Sequence, residues 1–587
     1  MGPNRRTANT LHDLRGRRTP ALATPAGAAF LCLMRPSSFR LPTFRSSAFA
    51  VLGRPPAVLR SLIAVLALTG CGRRETPVAA AVRTQTLHLG NGSEPRDLDP
   101  QLVVSFNDFN IVGALFEGLT AIDERTSQAV PGVAERWEAS PDGLVWRFHL
   151  RPDARWSNGD PLTAQDFVDS FRRALSPRLA SEYAYALYPL RNAEAFNAGR
   201  LADFAQVGVR ARDPRTLELT LARPTPYLAV AAALPVWFPV HRASIERLGR
   251  FDDRAVPWTR PATLVGNGPF VLREWSPGNR VVVARNPDYW DASRVRLNAI
   301  VFYPIENAAA QEAAFRAGQL HLTSDVPLAR IAAYRRDDPA VLRIDPFLDT
   351  AFLRFNVKRP PLDNFRVRQA LARALDRAAL VREVLLGGQR AAHCLTPPAT
   401  AGYTARAGIA DDFAAARRLL ADAGHPGGRG LRRIEIQFPT TEVNQRLLEA
   451  VQQMWHRELG LDVSLANKEQ RVWLSDERLL NYDISFAHWI GDYVDPSTYL
   501  ELFLSDGGNN STGWADPAYD RLVRAAGAEI DPAARNELYQ QAEARLLDAA
   551  PIAPLYFNTR VYLCHPTVRN WLPALLGIHQ YKIVYLE

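Results

Sequence analysis

The sequence predicts an α/β protein of several domains, and three observations carry that expectation. At 587 residues the chain is too long for a single core, so about two to four domains are expected. Ile434, Ile436 and Phe438 alternate as a strand, Glu442–Leu459 reads as a helix ending at Gly460, and Val463 with Leu465 starts another strand. That β-α-β order implies a right-handed parallel crossover. The third observation is composition: 47% apolar and 22% charged residues are ordinary for a folded globular chain.

The chain opens with a leader. Residues 1–71 hold ten Arg, no Lys and one acid, Asp13, so the whole net charge of +9 lies there. From residue 72 onward, 60 basic side chains balance 60 acidic ones, which removes the basic patch a nucleic-acid partner would need. Ser61–Leu68 is a short apolar run behind Arg54 and Arg60, far below the roughly 20 residues that span a bilayer. It reads as the hydrophobic part of a secretory signal. Leu68-Thr-Gly-Cys71 resembles the lipobox of bacterial lipoproteins, which implies cleavage before Cys71 and acylation of that residue. Two or three acyl chains hold a protein stably on a membrane. Residues 1–70 are therefore read as leader, with Met34 an alternative start that would make 1–33 a misassigned extension. Residues 71–86 are read as a lipid-anchored tether.

In the body, folding is expected from Leu87. Leu115–Leu119 reads as an apolar helix end closed by Gly118, and Val145–Arg151 alternates as a strand. Asn158-Gly159 marks a turn before Thr163-Ala-Gln-Asp166, a capping-box pattern at a helix start. Asn364–Arg377 places Val367, Ala370, Leu371 and Leu375 on one helical face, and Asp411–Ala423 is a helix closed by Gly424 and Pro426. Of the four cysteines (Cys32, Cys71, Cys394 and Cys564), none forms a C-x-x-C pair, so zinc and thioredoxin-like readings lack support. Whether Cys394 and Cys564 pair is open at this level.

The stretch Tyr482–Pro496 concentrates chemistry. Ile484, Phe486 and His488 fall on one face of a strand, and Asp483, Ser485 and Ala487 on the other. The strand breaks at Gly491 into a loop carrying Trp489, Asp492, Tyr493 and Asp495. Ligands of open α/β sheets gather at the carboxyl ends of strands. From these residues alone, Asp492 is either a receptor for a charged amino end or a turn aspartate.

An ordered series of short motifs adds to this. Glu94 and Leu98-Asp-Pro100, Phe116-Glu-Gly-Leu119, Trp146-x-Phe-x-Leu-Arg151, Trp156-Ser-Asn-Gly159 and Thr163–Val168 come first. Val265-Gly-Asn-Gly-Pro-Phe270, Arg285–Trp290, Val367–Leu371 with Asp376-Arg377, Leu419–Gly424, Asn509–Ser511 and Tyr519-Asp520 follow. Their succession from about residue 87 to the C-terminus resembles the extracytoplasmic solute-binding proteins of family 5, most of all the oligopeptide-binding proteins of ABC importers. The resemblance implies a two-lobed periplasmic-binding-protein fold with a hinge and an interdomain cleft. Lobe one would be 87–106, 246–347 and 561–587, with an inserted domain at 107–245, and lobe two 348–560. It implies a lipid-anchored, periplasm-facing monomer that passes peptides to a permease powered by separate ATPase subunits, with no cofactor.

The resemblance also implies site residues. Asp492 would bind the peptide amino terminus, Trp489 would pack near the ligand, and Gly491 would keep the backbone approach open. Tyr183 and Tyr185 would line the cleft, and Glu94 would sit in a peptide-contacting loop. Asn509 is a further candidate, alongside a loop-stabilising role for Asn509 and Asn510. At Phe486 the relatives carry a basic residue that helps bind peptide carboxylates, and Arg354 stands where they carry an acid. Bridging cysteines of the relatives are replaced by Asp349 and Ile490. Other ligands of this fold, a nickel chelate, haem or an oligosaccharide, form an alternative. A cell-wall peptidase is an alternative of another class, but H-E-x-x-H, G-x-S-x-G and Walker A motifs are all missing, and none of the eleven His is spaced for a metal. His488 is the one candidate acid/base, and an alternating strand favours a packed histidine there.

Overall fold

The computed structural model describes residues 75–587. The leader 1–70, the start at Met34 and the lipidation site Cys71 lie outside the described residues. The expected tether is structured toward its end: α1 (Pro77–Thr84) is capped by Thr76, whose hydroxyl accepts from Ala79 N–H at 3.2 Å. Val78 and Ala81 share one helical face and are buried, so the fold begins at Pro77 rather than Leu87. β1 (Thr86–Gly90) follows directly.

α2 (Phe106–Leu115) starts at Ser105, whose hydroxyl accepts from Asp108 N–H at 3.2 Å. It does not end on a glycine cap. Phe116 is already extended, and a Cβ on Gly118 would lie 2.7 Å from the Ala232 carbonyl oxygen, so Gly118 serves close backbone approach. Next come β2 (Ala134–Ala139), β3 (Val145–Leu150), α3 (Ala164–Ala174), β4 (Val209–Asp213) and β5 (Thr216–Thr220). The strands form an antiparallel sheet in the order β2-β3-β5-β4 over its own core. The Asp166 carboxylate accepts from Thr163 N–H at 2.7 Å, as the capping pattern requires. β6 (Phe270–Ser276), β7 (Arg280–Arg285) and β8 (Ala299–Tyr303) then return to β1, giving the order β1-β8-β7-β6 with β1 parallel to β8.

The largest sheet is built from the rest of the chain. Its elements are β9 (Leu342–Phe355), α4 (Phe365–Arg373), β10 (Arg390–Ala391), α5 (Phe413–Asp422), β11 (Ile434–Pro439), α6 (Glu442–Leu459) and β12 (Val463–Lys468). α7 (Gln470–Arg478), β13 (Ile484–Ile490), α8 (Pro517–Ala528), α9 (Pro532–Ala549) and β14 (Ile552–Leu563) complete it. The strand order is β10-β14-β9-β13-β11-β12. β11 and β12 are parallel and joined by α6, which closes at Gly460 with φ +68°, as the periodicity required. α4 is shorter than expected, because Asp376 caps a new turn by accepting from Ala379 N–H at 2.8 Å. Cys394 and Cys564 are both buried, free, and in different cores, so no disulfide joins them.

β13 positions the site. It pairs antiparallel with β9 along its whole length, from Phe355 opposite Ile484 to Asp349 opposite Ile490. With β11 it pairs only at Ile484 and Ser485. Gly491 N–H continues the β9 ladder by donating to Leu348 O at 2.8 Å. In an antiparallel ladder the bonding direction alternates, so the backbone groups of His488 and Ile490 face away from β9, where β11 no longer runs. Among the described residues that edge has no strand partner beyond Ser485.

Candidate ligand-binding site

A cavity of about 420 Å³ lies at the end of this open edge. Its walls are Val103–Phe106 before and within α2, Tyr183 and Leu234 after β3 and β5, Ile490 to Asp492 at the end of β13, and Leu576. The lining is apolar apart from a few groups, of which Asp492 is the one carboxylate. A second cavity, also about 420 Å³, lies on the other side of Asp492 and is walled by Tyr185, Tyr227, Trp489, Tyr493 and Asn509. Asp492 lines both.

The surroundings of Asp492 explain its state. Its backbone N–H donates to Thr498 Oγ1 at 3.0 Å, which fixes the loop. Its carboxylate accepts one hydrogen bond, from Tyr185 Oη at 3.1 Å. Burial pushes its pKa up to about 6, and the Tyr185 bond opposes that rise without cancelling it. Tyr185 stacks on Tyr183 at 5.5 Å, and Tyr183 meets Phe109 edge-on at 6.1 Å. Burial, and after it the nearby Asp492 charge, raises both phenols far above their usual range, so both stay protonated donors. Tyr185 as a residue is still 41% exposed, so its contact with Asp492 is one it can give up.

Asp495, three residues on, differs in every respect. It is buried, takes both guanidinium nitrogens of Arg535 at 2.7 Å, and accepts from Ser497 N–H and Oγ at 3.0 and 2.7 Å. It holds the loop and lines neither of the two cavities.

The structure brings together Asp492, Gly491, Tyr183, Tyr185, Trp489 and Asn509 around the two cavities. Two of them differ in detail from expectation. Trp489 belongs to β13 rather than to the loop. A Cβ on Gly491 would lie 2.6 Å from Leu348 Cδ2, so glycine is needed there for packing against β9 as well as for access. Asn510, next to Asn509, is a loop amide that donates to the carbonyls of Phe503, Leu504 and Trp514.

Three expected site residues are placed elsewhere. Phe486 has no exposed surface and sits in the core under α4 and α6, because β13 is an interior strand with both faces covered. Arg354 lies opposite Ser485, is buried and is paired with Glu477 at 2.7 Å, and it lines neither cavity. Glu94 is tied to the β6–β7 hairpin, accepting from Trp275 Nε1 at 2.7 Å and Gly278 N–H at 3.0 Å. The Val103–Phe106 wall, Leu234 and Leu576 were not foreseen. Their apolar runs look like core in the sequence, and no signal there marks them as lining.

The fold and site define a class. The chain belongs to the bacterial extracellular solute-binding proteins, family 5, whose model, described as "family 5 Middle", matches residues 128–511. It therefore has the two-lobed α/β fold of that family. Among its relatives is the periplasmic oligopeptide-binding protein OppA of Salmonella typhimurium, 34% identical over 90% of this chain and 96% of that one. The probable deoxycholate-binding periplasmic protein YgiS of Escherichia coli is 35% identical over 84% of this chain and 91% of that one. Of solved structures, the murein tripeptide binding protein MppA of Escherichia coli superposes with a TM-score of 0.75 at 34% identity, covering 85% of this chain and 98% of that one.

Proposed function

We propose that this protein captures oligopeptides in the cavity beside β13 and delivers them to the permease of an ABC importer, whose ATPase subunits supply the energy. One observation carries the reading: Asp492, a half-buried carboxylate held only by a tyrosine hydroxyl, stands at the end of an unpaired strand edge facing a cavity. An extended peptide satisfies its backbone by adding to such an edge. Its α-ammonium then replaces the Tyr185 hydroxyl on Asp492, because a buried charge needs a charged partner. The apolar walls accept side chains without specifying them.

In this reading lobe one (87–106, 246–347 and 561–587) carries the insert 107–245, and lobe two (348–560) closes over the ligand. The protein acts in the periplasm as a monomer, anchored by acylated Cys71, and binds and releases without chemistry. Relatives with peptide ligands support this, and the deoxycholate-binding relative keeps apolar acids among the outcomes to be tested. The test is mass spectrometry of ligand released by denaturing the purified protein. Peptides with free amino ends are expected; a bile acid, metal chelate, haem or sugar as the sole bound species would overturn the reading. Cleavage of added peptides would establish a peptidase instead.

A further inference from the structure

A third cavity, of about 460 Å³, shares no lining residue with the two beside Asp492 and is lined by charge. Its walls come from the hairpin that joins Thr120–Ile122 to Ala129–Pro131, from Trp290 after β7, and from the C-terminal segment around Lys582. Four cations line it, Arg125, Arg151, Arg294 and Lys582, against two carboxylates, Asp123 and Glu124.

Both carboxylates are answered by the fold. Asp123 Oδ1 accepts from the N–H groups of Arg125 and Thr126 at 3.0 and 2.8 Å. Glu124 accepts from Gln580 N–H at 2.5 Å and lies 3.2 Å from His579 Nδ1. Two of the cations are answered as well: Lys582 Nζ is 3.2 Å from Glu117 Oε1, and Arg294 Nη1 is 3.3 Å from Asp291 Oδ2. Arg151 and Arg125 are not. Among the described residues neither guanidinium has a carboxylate within 4.0 Å.

Arg151 is held in place. Its Nε donates to Gly132 O at 2.8 Å, and its guanidinium lies 3.7 Å from the centre of the Trp290 ring. That ring is itself fixed, because Trp290 Nε1 donates to Glu117 Oε2 at 2.6 Å. The two Nη groups of Arg151 have no hydrogen-bond partner among the described residues. A guanidinium fixed in this way presents a fork that matches two oxygens of one oxyanion. Water alone can serve the exposed Arg125, but the half-buried Arg151 stands in a cavity whose two acids are both engaged.

We propose that this cavity binds a phosphate-class anion, with Arg151 as the fixed donor and Arg125 as the second. The site is separate from the peptide cavity and goes beyond the peptide reading. Two unanswered positive charges match the nearly two negative charges of a phosphate monoester near neutral pH. A phospholipid headgroup offers the same phosphate as a diester. The C-terminal wall runs on from Lys582 to Leu586, whose N–H and carbonyl bond the Gln85 side chain at 3.2 and 2.8 Å. Gln85 closes α1, the described helix nearest Cys71 in sequence, so the headgroup is the second source to test.

Calorimetric titration at constant ionic strength separates the sources. Glycerol 3-phosphate serves as the monoester and glycerophosphoglycerol as the lipid headgroup. Wild type is expected to bind at least one of them saturably. Arg151→Gln should weaken that binding about tenfold or more and Arg125→Gln about three- to tenfold, the scale of lost charge-assisted hydrogen bonds. Arg335→Gln removes an exposed arginine that does not line the cavity and should change it by less than about twofold. Arg125→Gln carries the test if Arg151→Gln does not fold. The preferred anion identifies the source. No saturable binding of either anion by wild type, binding that survives both cavity substitutions, or equal weakening by Arg335→Gln overturns the assignment. Affinity for tetra-alanine should stay within about twofold in all three variants, and a parallel loss would place the arginines in the peptide site instead. Failure of wild type to bind any peptide would end the peptide reading and leave this one standing.

Discussion

Asp492 and Asp495 stand three residues apart in one loop, and their surroundings divide structure from function. Asp495 is matched on both oxygens by Arg535 and by the two Ser497 donors. Asp492 has a single neutral partner, Tyr185, and borders two cavities. A carboxylate whose charge is answered inside the fold has nothing to offer a ligand. One left with a phenol, and pushed by burial to a pKa of about 6, favours an incoming cation.

Breaking each partner should sharpen that contrast. Arg535→Ala strands a buried Asp495 and is expected to destabilise the fold by about 3–5 kcal/mol, read as a lowered midpoint in urea. Asp492→Asn should raise that midpoint at neutral pH, because it removes a carboxylate whose ionisation the fold disfavours, and cost about 2–4 kcal/mol of peptide affinity, measured by calorimetry. If the two variants exchanged phenotypes, the division between the aspartates would be wrong.

The next effect is pH-dependent. Asp492 must be ionised and the peptide amine protonated for this contact, so affinity for a free-amine peptide should be greatest near pH 7, fall by up to about tenfold per unit below 6, and fall again above about 8 as the amine loses its proton. Without ligand the sign reverses. The folded chain holds the Asp492 proton more tightly than the unfolded one, so this group's contribution to stability is lost as pH rises from about 4 through 6. Asp492→Asn should remove both slopes. The smallest effect expected is from Tyr185→Phe, which removes one hydrogen bond to Asp492 and should change peptide affinity by no more than about 1 kcal/mol. A loss as large as that of Asp492→Asn would make Tyr185 the principal ligand group.

Periodicity and turn chemistry carried the fold a long way. α6 ends at Gly460, β11 and β12 are parallel, and β13 leads to Asp492, all as local rules require. Those rules name the faces of a strand but not which face is wet. Phe486 and Arg354 were placed at the ligand on a resemblance, yet β13 is covered on both sides and both residues point into closed interior. The partners of Glu94 are hidden for a related reason: Trp275 and Gly278 lie more than 180 positions away in the sequence. α1 was missed because eight residues rich in alanine look like linker until Val78 and Ala81 find a core. The cavity walls at Val103 and Leu576 depend on chain crossings between distant segments, which no local signal records.

The central claim is that Asp492 receives the amino end of a peptide. Titrating wild type and Asp492→Asn with a peptide and with its N-acetylated form tests it most directly. The account predicts that acetylation costs wild type about 2–4 kcal/mol and costs Asp492→Asn almost nothing. Equal binding of the two forms by wild type would contradict it.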